Sequence, residues 1–158
     1  MAKKTSSANF DVAKIKLEIP IAAPPKKVWR ALTRDTDKWW PKTFCMNPKR
    51  AVAFRMEFRL GGRMYEDWGN GNGWLWWTIH KIDSENFTFS TSGYEGSAAI
   101  TTAHFQVLPK GTSSILQISD ETFGAADYIK SVTASHMAGW KELFEGAFKP
   151  YAQRSKTK

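Results

Sequence analysis

Histidines and carboxyl groups are the side chains that most often carry acid–base catalysis, and this sequence has few places where they converge. Its three histidines, His80, His104 and His136, lie far apart and lack the spacing of a metal site. His136 is the most informative, because it lies on an apolar helical stripe one turn before Trp140. A structural, hydrogen-bonded histidine is favoured there over a ligand contact or a catalytic base. The sequence therefore predicts no catalytic residue and no metal site.

Two acidic clusters are the other candidates for acid–base chemistry. Glu66 and Asp67 stand beside Trp68, and Asp120 and Glu121 come at the end of the last predicted strand. One member of each pair could face a pocket. Carboxylates at strand ends and turns are usually solvated, and we expect that here.

Nucleophilic and phosphate-binding chemistry also find little support. Cys45 has no histidine or basic motif beside it, so a passive thiol is expected. The glycine-rich stretch "GNGNG" at 69–73 joins two predicted strands and opens no helix, unlike a phosphate-binding loop. No cofactor is expected from these patterns.

Aromatic residues are the stronger signal, since they make up 14% of the chain and include eight tryptophans. Each ring alone is explained by an ordinary core, because burying one large side chain stabilises a fold by about 1.5–3 kcal/mol. As a set, they favour a cavity lined by rings, with a few polar groups, that binds a small molecule. The candidate ligand-binding residues are Trp39, Trp40, Phe44, Tyr65, Trp68, Trp76, Phe89, Ile129, His136 and Trp140.

The stretch "GNGWLWW" at 71–77 places three tryptophans in a predicted strand, where successive side chains point to opposite faces. Alternation puts Trp74 and Trp76 on one face and Trp77 on the other, so all three cannot line one pocket. The polar neighbours of Trp76 on its face, Thr78 and His80, favour Trp76 as the pocket contact. A bulge in the strand would reverse that choice.

Length and charge narrow the class of protein. A chain of 158 residues is enough for one domain with a proper core. The single cysteine fits a reducing cytoplasm, and neither a secretory signal nor an apolar membrane span is apparent. The net charge is +8, and residues 26–63 alone hold eleven Lys or Arg against three acidic residues. This polarity is explained by a solvated basic face or by an acidic partner, and no specific nucleic-acid motif is present.

The elements that must position these residues follow from hydrophobic periodicity. Alternation predicts a first strand at 14–21, two short helical stretches follow it, and about six further strands run to residue 123. The first of these six is a long strand over 51–60, with apolar residues from Val52 to Leu60 on one side. A long amphipathic helix then occupies the C-terminal part, with apolar residues every three or four positions. We expect an α+β domain over 11–153, preceded by a disordered leader at 1–10 and followed by a flexible basic tail at 154–158.

Several strings in this order resemble one known family. They are "LEIPIAAPPKKVWRALT" at 17–33, "KWWP" at 38–41, "GGRMYEDWGNGNGWLWWTI" at 61–79 and "GWKELFEGAF" at 139–148. The chain resembles the START-like (SRPBCC) superfamily, in the branch named for the activator of the 90-kDa heat-shock protein ATPase. The resemblance implies a helix-grip (START/Bet v 1-like) fold, with a curved seven-stranded antiparallel sheet wrapped on the long C-terminal helix and two short helices after the first strand.

Three functions follow as hypotheses. The resemblance implies binding of a small hydrophobic molecule, such as a lipid, a polyketide or an aromatic compound, in a cavity between sheet and helix. The first alternative is a protein-interaction module that acts on a chaperone or another acidic protein. The second is a cyclase-like or hydrolase-like enzyme, which would need two polar groups converging inside the cavity.

Overall fold

The computed structural model describes residues 9–95 and 99–154. Seven strands and a C-terminal helical segment account for most of them. The strands are β1 (Phe10–Ile21), β2 (Ala53–Met56), β3 (Arg63–Gly69), β4 (Asn72–Asp83), β5 (Thr88–Glu95), β6 (Ala99–Lys110) and β7 (Ser113–Ala125). The helices are α1 (Pro25–Arg34), α2 (Thr36–Trp39), α3 (Ala126–Lys141) and α4 (Lys149–Gln153), with a 3-10 turn at Lys42–Phe44 and a π-helical segment at Glu142–Phe148.

All strands belong to one antiparallel sheet in the order β1-β7-β6-β5-β4-β3-β2. Every strand after β2 pairs with the strand before it, and β1 closes the other edge against β7. In β6 and β7 buried and exposed side chains alternate, as a sheet with one covered face requires. The predicted α+β helix-grip fold is confirmed.

The C-terminal helix runs without interruption over 126–153, although its middle winds as a π-helix. It contacts β1 and β7 through α3, and its end packs on α1. The predicted apolar stripe is present, with Ile129, Trp140 and Leu143 buried. Phe144 and Phe148 are equally buried, and the stripe predicted from the sequence omitted them. They stand four and eight residues after Trp140, a spacing that places them on the same side of the helix as the stripe.

The two predicted short helices also follow β1. Helix α1 begins with Pro24 as its N-cap and Pro25 at its first position, where a missing backbone N–H costs no hydrogen bond. Helix α2 is a single turn that ends just before Trp40. Together they carry the chain across one end of the sheet.

The hairpin between β3 and β4 turns at Asn70 and Gly71, which both have positive φ as expected for the "GNGNG" stretch. The preceding segment differs from its prediction. The alternation over 51–60 predicted a long strand, but β2 ends at Met56 and the chain turns through Gly61. Leu60, expected on the apolar side of that strand, is exposed.

The predicted leader at 1–10 lies outside the described residues except for its last two positions, and Phe10 already belongs to β1. Of the predicted tail at 154–158, only Arg154 is described.

Candidate functional site

A cavity of about 200 Å³ lies between the sheet and the C-terminal helix. Its walls come from the chain just after α2, from β4 and β7, and from the helix where α3 passes into the π-helical segment. Aromatic rings make up most of the walls, with three polar side chains among them. The lining residues are Trp40, Phe44, Trp76, Trp77, Asp120, Ser135, His136, Gly139, Trp140 and Leu143.

A β-bulge in β4 brings two adjacent tryptophans to this cavity. Met64 of β3 pairs with Trp77, while the next residue, Tyr65, pairs with Leu75, so Trp76 is the extra residue. The rings of Trp76 and Trp77 lie 5.1 Å apart between centroids. Both line the cavity, whereas regular alternation would have admitted one of them.

The neighbouring strand makes room for this bulge. Gly93 of β5 pairs with Trp77, and a Cβ at Gly93 would lie 1.9 Å from the carbonyl oxygen of Trp76 and 2.7 Å from Cδ1 of Trp77. Neither contact is possible for a real side chain. Glycine at this position is therefore required by the close approach of β4.

Trp40 forms the wall opposite the bulge. Its ring stacks on Phe54 at a centroid distance of 3.7 Å and an interplanar angle of 7°. It meets Trp76 and Trp77 edge to face, at 6.4 Å in each case. The two edge contacts have the favoured aromatic geometry, and the close stack on Phe54 fixes the other side of the ring, so Trp40 is held in place by its packing.

Asp120 is a buried carboxyl group at the cavity wall, only 2% exposed. Its Oδ1 accepts hydrogen bonds from the hydroxyls of Thr101, at 2.7 Å, and Thr122, at 3.3 Å. Its Oδ2 accepts one from the indole nitrogen of Trp140, at 2.8 Å. Burial raises the pKa of Asp120 above its ordinary value, and these donors partly offset that effect.

Helix α3 supplies the other two polar side chains of the cavity, Ser135 and His136. A charge on His136 favours the ionised form of Asp120 and so lowers the pKa of that carboxyl group, which shows that the two groups are electrostatically coupled. The cavity is thus an aromatic space with one polar side.

Glu66 is a second buried carboxylate, fully shielded from solvent behind the bulge. Its oxygens accept hydrogen bonds from the indole nitrogens of Trp76, at 2.8 Å, and Trp68, at 3.0 Å. They also accept bonds from the backbone N–H groups of Met46 and Asn47. Four donors match a carboxylate, which only accepts. Both Glu66 and Asp120 were expected to be solvated, and that expectation is wrong because each lies on the covered face of its strand.

Five of the ten candidate ligand-binding residues meet at the cavity, although their roles in binding stay predictions. They are Trp40, Phe44, Trp76, His136 and Trp140. Five further residues line the cavity and were not among the candidates predicted from the sequence: Trp77, Asp120, Ser135, Gly139 and Leu143. Leu143 already lay on the predicted helical stripe, and Ser135 and Gly139 flank it, so the helix pattern could have indicated all three.

The other five candidates lie elsewhere. Trp39 and Phe89 belong to the packed core beside the cavity, where Trp39 donates its indole hydrogen to the Ala31 carbonyl at 2.9 Å. Trp68 packs behind the cavity on Glu66 and under Arg50. Tyr65 lines a separate groove together with Arg63. Ile129 belongs to a small apolar cluster with Ala13 and Ala99.

The family described as "Activator of Hsp90 ATPase homolog 1-like protein" matches residues 22–152, most of the chain. The chain belongs to this family. Its domain is therefore of the START-like (SRPBCC) type, as the sequence strings indicated. A comparison with curated proteins gives no match.

Solved structures share the fold at low sequence identity. Norcoclaurine synthase from Thalictrum flavum, in complex with dopamine and hydroxybenzaldehyde, is 15% identical with a TM-score of 0.68, covering 100% of both chains. An uncharacterised protein from Rhizobium leguminosarum is 13% identical with a TM-score of 0.70, covering 95% of this chain and 100% of the other. SA2116 from Staphylococcus aureus is 11% identical with a TM-score of 0.67, covering 90% and 94%. At these identities the likeness concerns the fold, one whose members commonly bind hydrophobic ligands.

Within residues 9–95 and 99–154, no group of three or more histidine, cysteine or acidic side chains is arranged to hold a metal ion. No helix in this part of the chain combines the length and apolar character of a membrane span.

Cys45 lies close to the Glu66 carboxylate, and it offers a test of this buried region. Burial, with the negative charge of Glu66 as a second cause, raises the pKa of the thiol to about 11. A thiolate is the reactive form, so at pH 8 the native protein should react with a thiol reagent at least about tenfold more slowly than the unfolded chain, whose cysteine has an ordinary pKa near 8.5. Because Cys45 is the single cysteine, the rate is read without interference.

The measurement compares native protein with protein in guanidinium chloride, and a small free thiol in both solvents corrects for the denaturant. Native and unfolded rates within tenfold of one another would contradict the burial of this thiol.

Proposed function

We propose that this protein binds a small aromatic molecule in the cavity between its sheet and its C-terminal helix. The observation that carries the proposal is the wall of four indole rings, from Trp40, Trp76, Trp77 and Trp140, around an open space. Side chains fill the space between rings in a close-packed core. Here a space is left open between four tryptophans, and core packing alone does not account for it.

The volume of the cavity narrows the ligand class. An apolar cavity of about 150 Å³ accommodates benzene. A cavity of about 200 Å³ therefore suits one substituted aromatic ring, while a sterol or a long acyl chain would need more space. Among the hydrophobic ligands considered from the sequence, an aromatic compound fits best.

Polar groups on one side of the cavity would orient this ring. Asp120 is already held by three donors, so it is a fixed acceptor and its direction is set before a ligand enters. Norcoclaurine synthase, which has the same fold, was solved with two single-ring aromatic compounds, and this supports the same ligand class here.

Tryptophan fluorescence gives a direct test, since four of the eight indoles line the cavity. We expect tert-butylbenzene to change the emission saturably and stoichiometrically, and we expect cholesterol and palmitate to leave it unchanged. Saturable binding of the two large lipids, with none of the single-ring compound, would refute the proposal.

A second candidate function, contact with a protein partner, is favoured by an apolar row on the uncovered face of the sheet. Val12, Phe123, Ile100 and Tyr94 pair in register across β1, β7, β6 and β5, and each is at least 44% exposed. Phe10 extends the row by stacking on Phe123 at 5.3 Å. Contiguous exposed apolar residues are typical of interaction surfaces.

The family name suggests the 90-kDa heat-shock protein as the partner to try, and the basic residues of 26–63 would suit an acidic surface. Under this hypothesis the protein stimulates ATP hydrolysis by the chaperone, and replacing Phe123 and Ile100 by serine reduces the stimulation. Unchanged hydrolysis over a wide range of protein concentrations would remove this candidate.

We also place the protein in the cytoplasm. A free, buried cysteine supports a reducing compartment.

A further inference from the structure

The charges around the cavity are unequal in sign. Among the described residues that line it, none is lysine or arginine, and Asp120 is the one carboxyl group. Glu66 adds a second carboxylate directly behind Trp76. The exposed basic residues of 26–63 lie on the surface, where solvent screens them. His136 is the one basic side chain among the described residues of the wall, so the carboxyl groups of Asp120 and Glu66 give the cavity a chemistry that suits a cation better than an anion.

Asp120 lines the cavity and Glu66 lies behind its wall, and each accepts a hydrogen bond from an indole ring of the wall. Trp140 donates its N–H to Asp120, and Trp76 donates its N–H to Glu66, each at 2.8 Å. An anion that accepts a hydrogen bond from an indole N–H raises the electron density of that ring. The effect is stronger in a low-dielectric interior than in water. The face of an aromatic ring already carries the negative part of its quadrupole, so the added electron density makes it a better partner for a cation.

Glu66 has the surroundings of a buried carboxylate. It is fully buried, and its two oxygens accept four hydrogen bonds from N–H groups and donate none. Solvent therefore screens the charge of this group little.

We propose that the cavity selects organic cations, namely ammonium compounds that carry an aromatic ring or a compact apolar group. This inference rests on the proposed function, because it names the chemical class that the same cavity takes. Four indole rings supply cation–π contacts, and the carboxylates behind two of them supply the charge. Quaternary and tertiary ammonium groups suit such a site, since they are weakly hydrated and make few hydrogen bonds of their own.

A pair of probes of equal shape separates charge from shape. Phenyltrimethylammonium and tert-butylbenzene differ by one nitrogen in place of one carbon, and each has the single ring that the cavity volume suits. Both probes are titrated in the same buffer at the same pH, so that the protonation states of Asp120 and His136 are common to the two measurements. We expect phenyltrimethylammonium to bind at least about tenfold more tightly, a factor within the reach of a few desolvated cation–π contacts.

The outcomes separate the two proposals. Equal or tighter binding of tert-butylbenzene overturns the cation selectivity and leaves aromatic binding intact. Binding of neither probe overturns the proposed function and this inference with it.

A matched pair of variants locates the charge. Asp120→Asn removes the buried carboxylate with little change of shape, and we expect it to weaken phenyltrimethylammonium at least about fivefold while tert-butylbenzene changes less than twofold. Glu121→Gln removes the neighbouring charge on the opposite face, where Glu121 pairs with Lys14 in solvent, and should change neither affinity. Equal weakening by the two variants would show a general charge effect and would contradict the assignment to Asp120. Thermal unfolding of each variant confirms that it is folded, and if Asp120→Asn does not fold, the probe pair on the unaltered protein still decides.

Discussion

Replacing Gly139 by leucine is expected to abolish binding of single-ring compounds and to leave the protein at least as stable as before. Gly139 lines the cavity from α3, and a Cβ built on it meets no atom within 4 Å. The leucine side chain would therefore enter the open space rather than collide with a neighbour. We expect the dissociation constant for tert-butylbenzene to rise at least about 100-fold, because a filled cavity leaves the ligand no apolar wall to contact.

The free energy of unfolding should rise in Gly139→Leu, although binding is lost. Glycine in the interior of a helix costs roughly 0.5–1 kcal/mol relative to a good helix former such as leucine, and the new side chain also gains apolar contacts. A higher melting temperature together with lost binding would distinguish a filled cavity from a damaged fold.

Gly146 provides the matched control for this experiment. It lies in the π-helical segment, it also has no atom within 4 Å of a built Cβ, and it does not line the cavity. Gly146→Leu should therefore leave the affinity for tert-butylbenzene unchanged. Retained binding in Gly139→Leu would show that the ligand occupies another place, and the proposed site would be wrong.

Replacing Phe144 by alanine is expected to lower the free energy of unfolding strongly. Phe144 is 2% exposed and stacks on Trp140 at 5.5 Å. It also contacts the rings of Trp39 and Phe105, so it joins α2, β6 and the C-terminal helix. Removal of a buried phenylalanine ring costs about 3–5 kcal/mol, because the transfer energy is lost and a void remains among rigid rings. Unfolding by guanidinium chloride measures the change in the free energy of unfolding.

Phe123→Ala removes the same side chain from the uncovered face of the sheet, where Phe123 is 49% exposed. We expect this control to change the free energy of unfolding by less than about 1 kcal/mol, since surface substitutions rarely do more. Similar losses in the two variants would mean that Phe144 is not the junction between helix and sheet.

The periodicity of the chain was enough to predict the architecture. A period of two over most of residues 14–123 can satisfy backbone hydrogen bonds and cover one apolar face only as an antiparallel sheet with something packed on it. The apolar stripe that includes Ile129, Trp140 and Leu143 belongs to the longest helical segment within residues 9–95 and 99–154, and this segment covers that face. The strand prediction was wrong after Met56, where a short segment leads into a turn at Gly61. Periodicity is a weak signal where only a few residues repeat.

The candidate site was predictable in outline and not in detail. Aromatic density indicated a lined cavity, and Trp40, Trp76 and Trp140 lie at it. Trp77 was assigned to the other face, because alternation holds until an extra residue enters one strand. The bulge depends on the pairing of β4 with β3 and on the space left by Gly93, and neither is a property of residues 71–77 alone.

Local patterns in the amino-acid sequence were sufficient for the order of the elements and for the family, because each depends on residues close together in the chain. The burial of Glu66 and Asp120 depends instead on residues that are far apart in the chain. Their donors come from distant segments, as when Trp140 of α3 reaches Asp120 of β7 and the chain at Met46 reaches Glu66 of β3. A carboxylate is stable in an apolar interior only when such donors converge on it. That convergence is decided only when the strands, the segment at Met46 and the C-terminal helix pack together.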